Sequence, residues 1–405
     1  MDYDINQGDY RIFTSNSLYL IQNLQANKII LIERNPLRMS HTNNEILSRV
    51  DIMESFKPHA ILGILNIKEV DYILYVKIAK LVGIFNNNEV YTIKEAEVLP
   101  ITIDHKQDDE SSKEIENIKS YLKSGFYYSF TYDLTNSIQK QSKYKSSNIY
   151  ETVEKNNMWN YNLYKEFFTF KVDVCFFVYL IQGYVGILNY AILETNQEFS
   201  TMLISRRNWL NPFPGTVSKG INEDGNVANL VETEQLLFFN NIVHSYVFLR
   251  GNAPIHYQHS DNNIKIVKTP EQLKPLFMRH IQHIQKDFHF IYFVNMLSAH
   301  KLTEQAITTN LEIQFKNNEI SNFCKYQYFH LEDTTHSPEL ENRLEKFTAS
   351  IEKVLGLFKF FCQDLNYGRV FSEQTGVLRM ICFNSLEKTN LVQMKISLKM
   401  FEFFV

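Results

Sequence analysis

Cys382 and Lys388 stand six residues apart inside QTGVLRMICFNSLEKTNLVQ (374–393), near the end of a 405-residue chain. A thiolate can attack phosphorus and carry the phosphoryl group as a covalent intermediate. A cation six residues on can hold the phosphoryl oxygens. A guanidinium does so with a planar fork, whereas Lys388 offers a point charge. Three elements must position this pair. Val377–Phe383 reads as a strand, Asn384–Lys388 as a short polar loop, and Thr389 as the N-cap of a helix carrying Leu391, Val392, Ile396 and Phe403. Strand, tight loop and helix N-terminus form an anion cradle, because free backbone N–H groups and the helix dipole both favour negative charge. A cysteine under that dipole has a lowered pKa. Spacing alone leaves a second reading open, in which Cys382 is a buried strand residue.

Upstream, residues 1–100 alternate short apolar runs with turns, and HAILGILNIKEVDYILYVKIAKLVGIF (59–85) reads as consecutive strands. The charged stretch 104–117 reads as a loop entering a helix. FYYSFTYDLTNSIQ (126–139) reads as an aromatic strand and then a helix capped at Thr135 or Asn136. Residues 140–157, with Lys140, Lys143 and Lys145, read as a mobile surface loop. Val174–Leu193 is long enough to cross a membrane, but Gln182, Gly183, Gly186 and Asn189 interrupt it. Two buried strands with a bend fit it better than a span. Strand texture runs over 158–260, helical patterns dominate 270–310 and 337–365, and a domain boundary falls near 185–200.

Net charge is −4, so no global basic field draws the chain onto nucleic acid or anionic lipid. Four scattered cysteines make no C-x-x-C and read as a reduced, intracellular set. The N-terminus lacks the basic and apolar regions of a secretory signal.

The segment 374–393 resembles the signature of the Sac-domain (suppressor-of-actin type) phosphoinositide phosphatases, Q-x-G-V-x-R-x-N-C-x-D-C-L-D-R-T-N-V-V-Q. It matches at Gln374, Gly376, Val377, Arg379, Cys382, Leu386, Thr389, Asn390, Val392 and Gln393. ISRRNW (204–209), GINEDGNVANLVETEQ (220–235), SYVFLRGNAPIHY (245–257), FYYSFTYDLTNSIQ (126–139), LIQGYVG (180–186) and VYTIKEAEVLPI (90–101) are similar to further family segments. The resemblance covers roughly residues 60–400. It implies an α+β protein: a β-rich N-terminal domain over 1–190, packed on an α/β cysteine-phosphatase-like catalytic domain over 191–405. It implies removal of phosphate from phosphatidylinositol phosphates through a cysteinyl-phosphate, with no metal and no cofactor. The partner it implies is phosphoinositide lipid at the cytosolic membrane face, met by a cytoplasmic protein peripheral on endomembranes. By resemblance Cys382 is the nucleophile, Phe383, Ser385, Leu386, Lys388 and Thr389 cradle the phosphate, and Asn384 and Glu387 occupy the two loop Asp positions.

The departures lie in that loop. The family's phosphate-binding Arg is Lys388, the first loop Asp is Asn384 and the second is Glu387. Losing one charge-assisted hydrogen bond costs on the order of 1.5–3 kcal/mol. An Asn cannot protonate a leaving alkoxide, and loss of a general acid is worth about 10²–10⁴-fold in rate. Glu387 substitutes only if its longer side chain reaches the leaving oxygen. Weakened turnover is therefore expected, and a pseudophosphatase that binds phosphoinositides or serves as a scaffold is the alternative. Ile381 replaces the family's Asn, PGTVSKGIN (214–222) lacks its first Arg, and F-D-F-H reads Phe329–Glu332, with His330 and Glu332 at the Asp and His positions. The chain stops 16 residues after Thr389, where family domains continue. The catalytic domain therefore reads as truncated, and apolar surface is expected on the last helix. Elsewhere the plain readings are surface histidines at His280 and His283, structural ion pairs at Arg206 and Arg207, and core cysteines at Cys175, Cys324 and Cys362.

Overall fold

The computed structural model describes residues 4–5, 9–102, 108–144, 152–192, 197–211, 218–260, 263–316, 318–331, 338–383 and 387–404. Strand outweighs helix, about 40% against 30%, and both parallel and antiparallel pairings occur in large sheets, so the class is mixed α/β. Two compact units divide the chain: Met1–Asn136 with Tyr144–Leu188, and Ser137–Lys143 with Asn189–Val405.

The first unit is built from β1 (Asp4–Ile5), β2 (Tyr10–Thr14), β3 (Leu18–Asn23), β4 (Lys28–Arg34), β5 (Leu37–Thr42), β6 (Glu54–Phe56), β7 (Ala60–Ile67), β8 (Val70–Phe85), β9 (Asn88–Pro100) and β10 (Phe126–Tyr128). The order β5-β4-β3-β2-β6 makes one five-stranded antiparallel sheet. In a second sheet the long β8 pairs with β7, β1 and β9, and β10 pairs with β9. Asn86 and Asn87 turn the β8–β9 hairpin with φ of 44° and 62°. Two left-handed residues in succession match the right-handed twist of the strands, and asparagine tolerates that region best among side chains with a Cβ. The charged stretch holds a helix from Asp109 to Leu122, with Asp108 as its N-cap, accepting from the Ser111 N–H at 2.6 Å.

Three local expectations are corrected here. Val174–Leu193 forms a short helical turn at Val174–Phe176 and one long strand, β11 (Ile181–Ile192), instead of two strands. Its glycines let the strand pass without a second bend, Gly183 taking φ 152°. Residues 161–169 are short helical turns, where strand texture was expected. The helix after the aromatic strand is Ile138–Gln141, capped by the Ser137 side chain and not by Thr135 or Asn136. Those two side chains are already engaged with Asp133, at 2.6 and 2.8 Å.

The second unit contains β12 (Gln197–Arg207), β13 (Ser218–Gly220), β14 (Val231–Phe239), β15 (Ile242–Gly251), β16 (His256–Ser260), β17 (Asn263–Ile266), β18 (Phe290–Asn295), β19 (Cys324–Tyr328), β20 (Phe361–Asp364), β21 (Arg369–Ser372) and β22 (Gly376–Ile381). The main sheet runs β12-β14-β15-β22-β18-β19, and β13, β16 and β17 make a small sheet of their own. β12, β14 and β15 are antiparallel, with Asn240 and Asn241 turning the β14–β15 hairpin at positive φ. β15, β22, β18 and β19 are parallel. Parallel neighbours need crossover helices, and these cover both faces. The helices Pro270–Gln285 and Leu302–Phe315 bury Phe277, Ile281, Ile307 and Leu311 against Leu249, Phe293, Val377 and Ile381. The helices Pro338–Phe358 and Glu387–Phe404 bury Leu344, Ile351, Val392 and Ile396 against Phe248, Val294, Leu378 and Met380. Every residue of β22 is buried, as a central parallel strand requires.

A candidate anion cradle at the carboxyl end of β22

Strand register sets Gly251, Ile381, Asn295 and Tyr328 in one row across β15, β22, β18 and β19. Cys382 is the first residue beyond that row. After β22 the chain enters the helix Glu387–Phe404 on one face, while after β18 it enters the helix Leu302–Phe315 on the other. Adjacent parallel strands whose following helices part to opposite faces leave a crevice beyond their carboxyl ends, where α/β sheets bind ligands.

Cys382 is buried, at 8% exposure, and Phe383 is half-buried against the core under the Pro270 helix. Asn384, Ser385 and Leu386 lie outside the described residues. The last helix begins at Glu387, two residues before the expected Thr389 cap. Thr389 is therefore a wholly buried residue of the first turn, Lys388 is half-buried beside it and Glu387 is exposed. The shift has an electrostatic reason: a carboxylate at the first position is favoured by the dipole. Cys382 and the start of this helix flank the same short loop.

The far wall of the crevice is cross-bonded. The Met296 N–H donates to the Ile381 carbonyl at 2.8 Å. Buried Asn295 donates to Tyr326 at 2.8 Å and Thr308 at 3.1 Å, and accepts from the Leu297 N–H. Glu304, also buried, accepts from the Ser298 N–H at 2.7 Å. Below the cysteine, fully buried Arg379 donates to the carbonyls of Gly251 (3.2 Å), Asn252 (2.8 Å) and Met380 (2.5 Å). No carboxylate pairs with it among the described residues. Burial holds its pKa down to about 9. At the same sheet end, Arg207 and Arg250 both pair with Val231, one row before Gly251. Burial first, and then the Arg207 charge, lowers Arg250 to about 10.

Sequence reasoning gave no role to Arg379, Arg250, Glu304 or Tyr257. Arg379 and Arg250 stood inside the quoted motifs. Nothing in residue spacing marked Glu304. Arg206 is a structural ion-pair residue: buried, it meets Glu234 at 2.6 Å and Glu232 at 3.2 Å. Lys140 meets Asp287 at 2.8 Å and Lys143 meets Glu373 at 3.6 Å, so these two lysines bind within the unit; Lys145 lies outside the described residues. His280 is fully buried, contrary to its surface reading, because it lies on the core side of its helix beside Leu276, Phe277 and Ile284. Burial first, then Arg379, holds its pKa well below the usual imidazole value. Cys324 is a core residue, while Cys175 and Cys362 are half-buried.

Residues 59–336 match the SacI homology domain, and the chain belongs to that family. The match stops short of Cys382. The chain is similar to polyphosphatidylinositol phosphatase INP53 of Saccharomyces cerevisiae, 26% identical over 76% of this chain and 29% of that protein. It is also similar to phosphatidylinositol-3-phosphatase SAC1 of Drosophila melanogaster, 27% identical over 82% of this chain and 57% of that protein. Its identity with SAC1 of S. cerevisiae is 26% over 84% of this chain and 57% of that protein. The chain thus spans well under two thirds of the length of these relatives. No helix among the described residues is long and apolar enough to cross a membrane.

Proposed function

We propose that this chain is a Sac-type phosphoinositide phosphatase acting through Cys382. The observation that carries the reading is the position of Cys382, at the carboxyl end of a central parallel strand and five residues before a helix start, in a chain of the SacI homology family. The Cys382 thiolate attacks the phosphorus of a ring phosphate. The S–P bond forms as the P–O bond to the inositol breaks, and the departing alkoxide takes a proton from solvent water. Water then attacks the phosphorus, the S–P bond breaks, and inorganic phosphate leaves with the thiolate restored. The N–H groups of the first turn at Glu387–Thr389 stabilise the phosphoryl oxygens, as helix N-termini do. Lys388 adds one positive charge without the fork of a guanidinium.

In this reading residues 1–190 are the β-rich domain and 191–405 the catalytic one; the division of compact units between Leu188 and Asn189 supports that placement. The substrate is phosphoinositide at the cytosolic face of an endomembrane, which the printed activities of the relatives support. The test is phosphate release from short-chain phosphoinositides by the purified chain beside two variants. Cys382→Ser abolishes release. Lys388→Arg raises kcat/KM by roughly tenfold or more, the equivalent of one charge-assisted hydrogen bond at about 1.5–3 kcal/mol. Release that survives Cys382→Ser contradicts the reading.

A further inference from the structure

Tyr257, on β16, is wholly buried. Its ring stacks on that of Phe383, the neighbour of Cys382, with centroids 6.3 Å apart and planes at 26°. Its hydroxyl accepts from Asn252 Nδ2 at 3.4 Å, and the Asn252 carbonyl is itself held by Arg379 at 2.8 Å. That contact uses the phenol oxygen as an acceptor. Among the described residues, nothing accepts the phenol proton. A buried O–H without an acceptor is costly, and one is usually found nearby.

Cys382 directly precedes the Phe383 ring on which the phenol stacks, and Glu304 and Cys382 are the two charges that raise the phenol's pKa beyond burial. The Glu304 carboxylate is already engaged: Oε2 accepts from the Ser298 N–H, and Oε1 lies 3.6 Å from Lys301 Nζ. The sulfur is the group whose demand for a proton donor changes during the reaction. A thiol accepts weakly and a thiolate strongly.

We propose that Tyr257 is a positioning residue, donating its phenol hydrogen bond to the Cys382 sulfur when the thiolate forms. The proton stays on oxygen throughout and no covalent bond changes. The contact stabilises the charged sulfur and fixes its direction toward the crevice. Burial first, with Glu304 and Cys382 adding to it, keeps the phenol protonated, so it remains a donor. The proposal rests on Cys382 being the nucleophile of the phosphatase reading. Other charged or titratable groups around this crevice are Arg379 on β22, Arg250 on β15, His280 on the Pro270 helix, Glu304 on the Leu302 helix, and Glu387 and Lys388 on the last helix. Tyr257→Phe changes none of them.

The test is the pH profile of iodoacetamide alkylation at Cys382 in the full chain, followed by peptide mass spectrometry. Tyr257→Phe shifts the profile up by about one pH unit, slowing alkylation about tenfold at neutral pH, while near-UV dichroism is unchanged. An unshifted profile in folded Tyr257→Phe overturns the proposal, as does a Cys382 that no pH renders reactive. Should Tyr257→Phe fail to fold, 3-fluorotyrosine at position 257, whose more acidic phenol is a stronger donor, is read in its place. It moves the profile to lower pH, and an unmoved profile overturns the proposal. Alkylation needs no turnover. A Tyr257 effect without phosphate release therefore overturns the phosphatase reading and leaves this one standing.

Discussion

His59 shows what a buried titratable side chain does when chemistry does not use it. It is 2% exposed, and its Nδ1 meets the Tyr128 hydroxyl at 2.6 Å. Burial lowers its pKa to about 4. An unfolded histidine titrates near 6.5, so between those values the unfolded chain binds more protons. Stability is full above pH 6.5 and falls as pH drops toward 4. The loss at the acid end is about 3 kcal/mol at one histidine, and His280 adds to it in the same direction. The urea midpoint should therefore fall between pH 7 and pH 5. An unchanged midpoint would show that neither ring is held neutral. Cys382 contrasts with these residues. It follows a buried central strand and stands five residues before a helix start, with Arg379 three residues earlier on that strand. Its type and spacing made it legible in the sequence. Tyr257 was not legible beside Phe383, because a ring stack, and not spacing along the chain, brings it there.

Among the elements, β22 depends on one side chain just before it. Gln374 donates to the carbonyls of Val247 and Gly376, both at 2.9 Å, and accepts from the Val247 N–H at 2.8 Å. It also exchanges two hydrogen bonds with Gln139, at 2.8 and 3.0 Å. These bonds pin the entry of β22 to β15 and so fix how far Cys382 projects. Gln374→Leu leaves the buried Val247 N–H and C=O without partners and should cost roughly 2–4 kcal/mol. Chemical denaturation measures this directly, and a cost below about 1 kcal/mol would mean that water or another group replaces the amide. The hairpins at Asn86–Asn87 and Asn240–Asn241 carry their turn chemistry in adjacent residues, so the alternation around the first was readable. β18 was not. F-I-Y-F-V-N lies inside the stretch 270–310 read as helical, because a short apolar run has no period that separates strand from helix. The first turn of the last helix was likewise misplaced by three residues, because Glu387 and Lys388 are as compatible with a loop as with a helix start.

At the scale of the molecule, the second unit includes a piece of chain far from the rest of it in sequence. Ser137–Lys143 belongs with Asn189–Val405. There the Ile138 N–H donates to Glu234 at 2.9 Å, Gln139 bonds Gln374, and Lys140 pairs with Asp287. The partners are about 100 to 235 residues apart, so no local pattern announces the strap. A fragment beginning at Asn189 lacks it and leaves Glu234 and Gln374 short of buried partners. It should melt below the full chain, and supplying residues 137–143 on a short linker should recover part of the difference. Equal melting would show the strap to be dispensable. The central claim concerns one bond at one sulfur. Single turnover with a phosphoinositide carrying labelled phosphorus, stopped in acid and digested, should place the label on the peptide that contains Cys382. Label should be absent in Cys382→Ser. Phosphate released at the normal rate with no labelled peptide, or label on another residue, would contradict the account.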